Sequence, residues 1–97
     1  MKPPAKLDGA KVLKWAWSGD QPFFTMPTNS DESGINIFGL AVCRYEENGS
    51  VYRFSCSQDW EVENDFDYGD NIEAALNALS GQYDISKVEW INFYQTD

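Results

Sequence analysis

The stretch INIFGLAVCRYEENGSVYRFSCS, residues 35 to 57, decides the fold. Two runs rich in β-branched and aromatic residues flank EENGS, and Asn48-Gly49 tolerates positive φ at both central positions of a type I′ turn, whose twist matches that of paired strands. The pattern predicts a hairpin in which Glu47 faces Ser50, Tyr45 opposes Tyr52, Cys43 opposes Phe54 and Ala41 opposes Cys56. Side chains alternate along a strand, so these last six share one face, the expected core side. The other face carries Val42, Arg44, Arg53 and Ser55, with Arg44 opposite Arg53. Two opposed cations need an anion nearby, and the acidic segment that follows is a source of one.

In this register Cys43 and Cys56 are diagonal neighbours, separated by about 7–8 Å at Cα. A disulfide usually spans about 4.4–6.8 Å. Both are therefore expected as free thiols that act as small core hydrophobes, which points to a reducing, cytoplasmic setting.

Working outward, KVLKWAWS (Lys11 to Ser18) alternates Leu13, Trp15 and Trp17 with Val12, Lys14 and Ala16, and reads as a strand. FFTM (Phe23 to Met26) lies between Pro22 and Pro27 and reads as a short edge strand. TNSDESG (Thr28 to Gly34) reads as a polar surface loop. Downstream, DNIEAALNALSG predicts a helix: Asp70 caps it, Glu73 completes a capping box and Gly81 follows the last turn. Ile72, Ala75, Leu76 and Leu79 form its apolar stripe. KVEWINFY (Lys87 to Tyr94) closes the chain as a strand with Val88, Trp90 and Phe93 available for burial. Trp15 and Trp90 are expected between helix and sheet. The expected fold is α+β, an antiparallel sheet of roughly four to six strands with one helix, about 71–80, packed on one face. A chain of 97 residues is expected to form one domain around one modest core.

Sixteen acids against seven bases give a formal charge of −9. Nucleic-acid backbones are bound by clustered Lys and Arg. Here Lys2, Lys6, Lys11 and Lys14 fall in the first fourteen residues, while Phe54 to Ser86 holds eight acids and no base. Direct nucleic-acid binding is not expected. The N-terminus lacks the apolar run of a signal peptide, and no window is long enough to span a bilayer, so no membrane role is expected either. The absence of His removes the commonest general base, the triads that depend on it and the usual zinc ligands.

The segment DWEVENDFDYGD, Asp59 to Asp70, carries six acids in twelve residues. Asp59, Glu61, Glu63, Asp65 and Asp67 alternate with Trp60, Val62, Asn64, Phe66 and Tyr68, so an extended strand projects the acids from one face about 6.8 Å apart. One reading is a solvated face that blunts a sheet edge. A calcium site is a second, because hard cations take clustered carboxylates. An EF-hand register started at Asp65, however, puts Gly69 at the fifth place and Leu76 where the final Glu belongs. A carboxylate pair for glycoside hydrolysis must face across a cleft of about 5–9.5 Å, and neighbours on one strand face do not. Cys43 is a poor nucleophile on a core face, even beside Arg44.

No catalytic residue, metal or cofactor is expected. The remaining reading is a surface for a basic partner, since complementary potentials speed and select association. Trp60 and Tyr68, flanked by acids, are the expected aromatic anchors. The expected function is a small non-enzymatic inhibitor that occupies the basic surface of a nuclease or other nucleic-acid-processing effector, in the manner of nuclease-immunity, anti-restriction and anti-CRISPR proteins. Its expected contacts are Asp59, Trp60, Glu61, Glu63, Asp65, Asp67, Tyr68 and Asp70. The rival functions are a small-ligand-binding or regulatory domain and a divalent-cation module.

Overall fold

A computed structural model describes residues 2–26, 34–77 and 88–93. Its elements are β1 (Lys6–Leu7), β2 (Ala10–Trp17), β3 (Phe24–Met26), β4 (Ile35–Ile37), β5 (Gly39–Arg44), β6 (Val51–Cys56), β7 (Val62–Asp67), α1 (Ile72–Asn77) and β8 (Ile91–Asn92). The main sheet has six strands in the order β1, β2, β5, β6, β7, with β8 pairing β2 as well, and β3 pairs β4 in a separate two-stranded sheet. Every pairing is antiparallel. Among the described residues the expected antiparallel sheet is present with one short helix, and the sheet curls into a half-barrel. Among the described residues no helix is long and apolar enough to cross a membrane.

The β5–β6 hairpin forms as expected, but its register is shifted by two. Arg44 pairs with Val51, Cys43 with Tyr52 and Ala41 with Phe54. The Tyr45 N–H donates to Ser50 O at 3.0 Å and the Gly49 N–H to Tyr45 O at 2.8 Å. The loop therefore holds residues 46 to 49, and of these only Gly49 has positive φ, at 72°. The reason lies on the second face. The expected register would have paired Glu46 with Val51, which is fully buried, whereas the longer loop leaves Glu46 and Glu47 exposed. A shift of two preserves the faces. It also moves Cys43 and Cys56 apart, since Cys56 now opposes Gly39, and both thiols are free. The two-residue turn occurs instead at Asp8-Gly9, with φ of 50° and 80°, where it joins Leu7 to its partner Ala10.

The first face of the sheet carries Leu7, Val12, Ala41, Cys43, Phe54 and Cys56 in one buried cluster, with Trp15 and Trp17 packed against it. Val12 reaches this face because a bulge at Leu13 resets the alternation of β2: Val12 opposes Cys43, while Lys14 opposes Val42. A fully buried aromatic such as Phe54 contributes about 1.5–3 kcal/mol.

The second face is also buried, contrary to the one-sided core expected. Ala16 and Leu40 cluster there with Phe23 and Ile37, and Val42 and Val51 cluster with Ala75 of α1. Arg53 is only 2% exposed. It opposes Val42 rather than Arg44, its Nη1 donates to Ala75 O at 3.3 Å, and its guanidinium lies 5.3 Å from the Tyr68 ring centre. The expected opposition of two arginines does not occur, and the contacts of Arg53 include a carbonyl and an aromatic face.

Asn71, not Asp70, caps α1: its Oδ1 accepts from the Ala74 N–H at 3.0 Å. Asn carries the oxygen one position nearer the first turn, and it places Ala74, not Glu73, at the capping-box position. Toward the other end of the helix, Trp90 Nε1 donates to Leu76 O at 3.0 Å. Leu79 and Gly81 lie outside the described residues. So do residues 28 to 33 of the expected loop and both ends of the closing strand, of which Ile91–Asn92 pairs with β2. Lys14 Nζ donates to Asn92 Oδ1 across that pairing. Trp90 packs with the second-face clusters and Phe93 with the first. β3 pairs β4 away from the main sheet, with Phe24 opposite Ile37.

Candidate partner-binding site

Between β6 and β7 the chain folds around Ser57. The Asp59 and Glu61 N–H groups both donate to Ser57 Oγ at 3.2 Å, and the Ser57 N–H donates to Glu61 O at 2.9 Å. Asp59 and Glu61 consequently lie in an exposed turn, not in a strand. The same turn gives Trp60 a φ of 63°, a left-handed conformation that bulky residues seldom adopt. Its indole is 6% exposed. It packs edge-on to Trp15 (centroids 6.3 Å) and tilted against Trp17 (5.5 Å), over Gly39, where a Cβ would come within 2.5 Å of the ring. The expectation that Trp60 stands at the surface is therefore corrected: Gly39 leaves a slot, and the indole fills it.

β7 starts only at Val62 and contains a bulge at Glu63. Val62 opposes Cys56 and packs against the first-face cluster, while Asn64 already opposes Ser55. Beyond the bulge, Asp65 opposes Phe54 and Asp67 opposes Tyr52, so these two acids continue the first face into solvent. The acids do not form the single unbroken row that strict alternation suggested. Asp65, Phe66 and Asp67 are exposed, Glu63 is half-buried, and Asp70 is exposed in the turn before α1. Tyr68 is half-buried and packs with Val42 and Val51 on the second face. The exposed aromatic of this segment is Phe66, 47% accessible.

Residues far from the acidic segment join it. Tyr45 Oη donates to Asp8 O at 2.9 Å and to Asp8 Oδ2 at 3.2 Å. Tyr52 Oη donates to Asp67 Oδ2 at 3.3 Å, and the two phenol rings meet edge-on at 5.3 Å. Burial, then the Asp8 carboxylate, raises the Tyr45 phenol above its ordinary value. The Asp67 carboxylate, then burial, does the same for Tyr52. Between the Asp8 turn and β7 lies an open cavity of about 290 Å³ lined by Asp8, Val62, Glu63, Asn64 and Asp65. Asp8, Tyr45 and Tyr52 were not among the expected site residues. The signal that could have found Asp8 is the Asp8-Gly9 dipeptide between Leu7 and Ala10, a hairpin-turn pair that puts an acid at the tip of a strand connection.

The arrangement is negative and open-sided, with phenols that donate to carboxylates. Among the described residues no group of three or more His, Cys, Asp or Glu side chains converges as metal ligands would. Burial raises the Cys43 thiol strongly and pushes Cys56 up to about 12, so neither holds a reactive thiolate near neutral pH. No family model, curated protein or solved structure matches the chain.

Proposed function

We propose that the protein is a non-enzymatic inhibitor that binds the basic, nucleic-acid-facing surface of a nuclease or other nucleic-acid-processing effector. The observation that supports this reading most is the position of β7. It ends the sheet order, and its last three residues, Asp65, Phe66 and Asp67, are all exposed. Asp59, Glu61 and Asp70 extend the acidic surface on either side, and Asp8 adds a carboxylate across the seam. Arg53, on the neighbouring strand, is directed to the opposite face, under Tyr68 and Phe66. Acids displayed in this way match a cationic groove and raise the association rate with it.

Phe66 takes the anchor role first given to Trp60: it projects from the face of β7 opposite Asp65 and Asp67, over Arg53, so a partner that uses it wraps the edge of the strand. In this reading α1 covers the second face of the sheet and holds β6 rigid behind the acids, and the whole chain acts as one unit. The buried free thiols fit a reducing, cytoplasmic setting.

The test is a tagged pull-down from source-cell lysate at low and moderate salt, comparing the native protein with a variant carrying Asn or Gln at 59, 61, 63, 65 and 67. The expected result is stoichiometric retention of a basic nucleic-acid-binding protein, reversed by competing nucleic acid and lost in the variant. Equal recovery by both proteins would reduce the acids to a solvated face.

A further inference from the structure

The way the partner is held can be read from the backbone of β7. Its inner edge pairs with β6, and among the described residues no strand pairs with its outer edge. The Tyr68 N–H donates to Val51 O at 2.9 Å and the Val51 N–H donates to Gly69 O at 2.6 Å, so β7 turns the Tyr68 N–H toward β6. Antiparallel ladders alternate bonded and non-bonded pairs. Opposite Tyr52 and Phe54, therefore, Asp67 and Asp65 turn their N–H and C=O groups away from β6, toward the outer edge. An independent contact agrees: the Asp65 N–H is taken by the side chain of Asn64, Oδ1 at 2.9 Å, a local substitute for a ladder bond.

We propose that the outer edge of β7 accepts an extended basic segment of the partner as an added strand, seated in the seam between β7 and the Asp8 turn. This rests on the reading given above and specifies how the partner is recognised. Main-chain bonds at Asp67, and at Asp65 once the incoming strand displaces the Asn64 side chain from its N–H, supply affinity in the manner of strand addition. Their carboxylates, about 6.8 Å apart on one side of the strand, match Lys or Arg at every second position of the incoming segment. The cavity lined by Asp8 and Val62 through Asp65 lies along this edge and gives room for those side chains. The same charges exclude a second copy of this chain, because acid would face acid across the new pair. An edge guarded against most strands is thus left open to a basic one.

The probe is a capped peptide alternating Lys and Thr, titrated into the full protein at low salt while amide exchange is followed by NMR, with a second peptide N-methylated along its bonding edge. Saturation is expected to slow exchange at Asp65 and Asp67 about tenfold or more, and N-methylation to weaken binding about tenfold, as loss of several backbone bonds requires. If both peptides bind equally and the β7 amides exchange unchanged, strand addition is wrong while the acidic docking surface stands. If neither peptide binds, strand addition is wrong, and the pull-down above decides the acidic docking surface by itself.

Discussion

β6 and β7 are adjacent strands of six residues each, paired along their length, and they meet opposite fates. In β6 every residue but Tyr52 is buried, including Arg53; in β7 none is, and the last three are exposed. Beyond the bulge at Glu63 the backbones are alike, so the difference comes from position. β6 has a partner on both sides and apolar clusters over both faces, which leaves even a cation buried against a carbonyl and an aromatic ring. Among the described residues β7 has one partner, and it lies beyond the core from Asp65 onward. Inner strands build the scaffold, and the outer strand presents what the scaffold carries.

Four substitutions or conditions break or sharpen that contrast. Truncating the centre of β6, Phe54→Ala, is expected to cost about 3–5 kcal/mol, as for buried aromatics elsewhere, read by urea denaturation. Gly39→Ala pushes a methyl into the Trp60 ring. It is expected to cost about 1–3 kcal/mol by overpacking and to red-shift tryptophan fluorescence as the indole leaves its slot.

The thiols set the third effect. Burial places the Cys56 pKa at about 12 against an ordinary 9.0, and Cys43 moves the same way. A raised folded pKa means that the unfolded chain gives up its proton first. Stability is therefore complete below pH 9 and falls progressively from there toward pH 12, by about 1 kcal/mol per thiol at the first pH unit. Chemical denaturation at pH 8 and pH 10 checks the slope, and a thiol reagent should label neither cysteine until the protein unfolds. The smallest change in stability belongs to β7: Asp65→Asn with Asp67→Asn is expected to stay within about 0.5 kcal/mol of the native protein, while retention of a basic partner drops. A large loss of stability in that variant would mean that the acids serve the fold.

Much of the scaffold is legible in the sequence because apolar periodicity is a local property. The β5–β6 hairpin, the long strand β2, the helix after Asp70 and the closing strand that supplies Ile91 and Asn92 can all be read this way. The register could not be read in the same manner, because it depends on the second face being buried, and Val42 and Val51 show this only once Ala75 and Trp90 pack with them. Bulges at Leu13 and Glu63 are likewise silent, since one extra residue leaves no mark on composition yet moves every later side chain to the other face. The acidic character of the site is visible in the sequence, whereas its membership is not. Trp60 is among acids in the chain but above Gly39 in space, and Asp8 is distant in the chain but across the seam from Asp65.

One comparison tests the division between scaffold and display most directly: melting temperature and partner retention measured side by side for the native protein and the variant with Asn or Gln at 59, 61, 63, 65 and 67. A melting temperature equal to or slightly above the native one, from relief of like-charge repulsion, together with loss of the basic partner is the expected result. A variant that melts as the native protein does and still retains the same partner would contradict it.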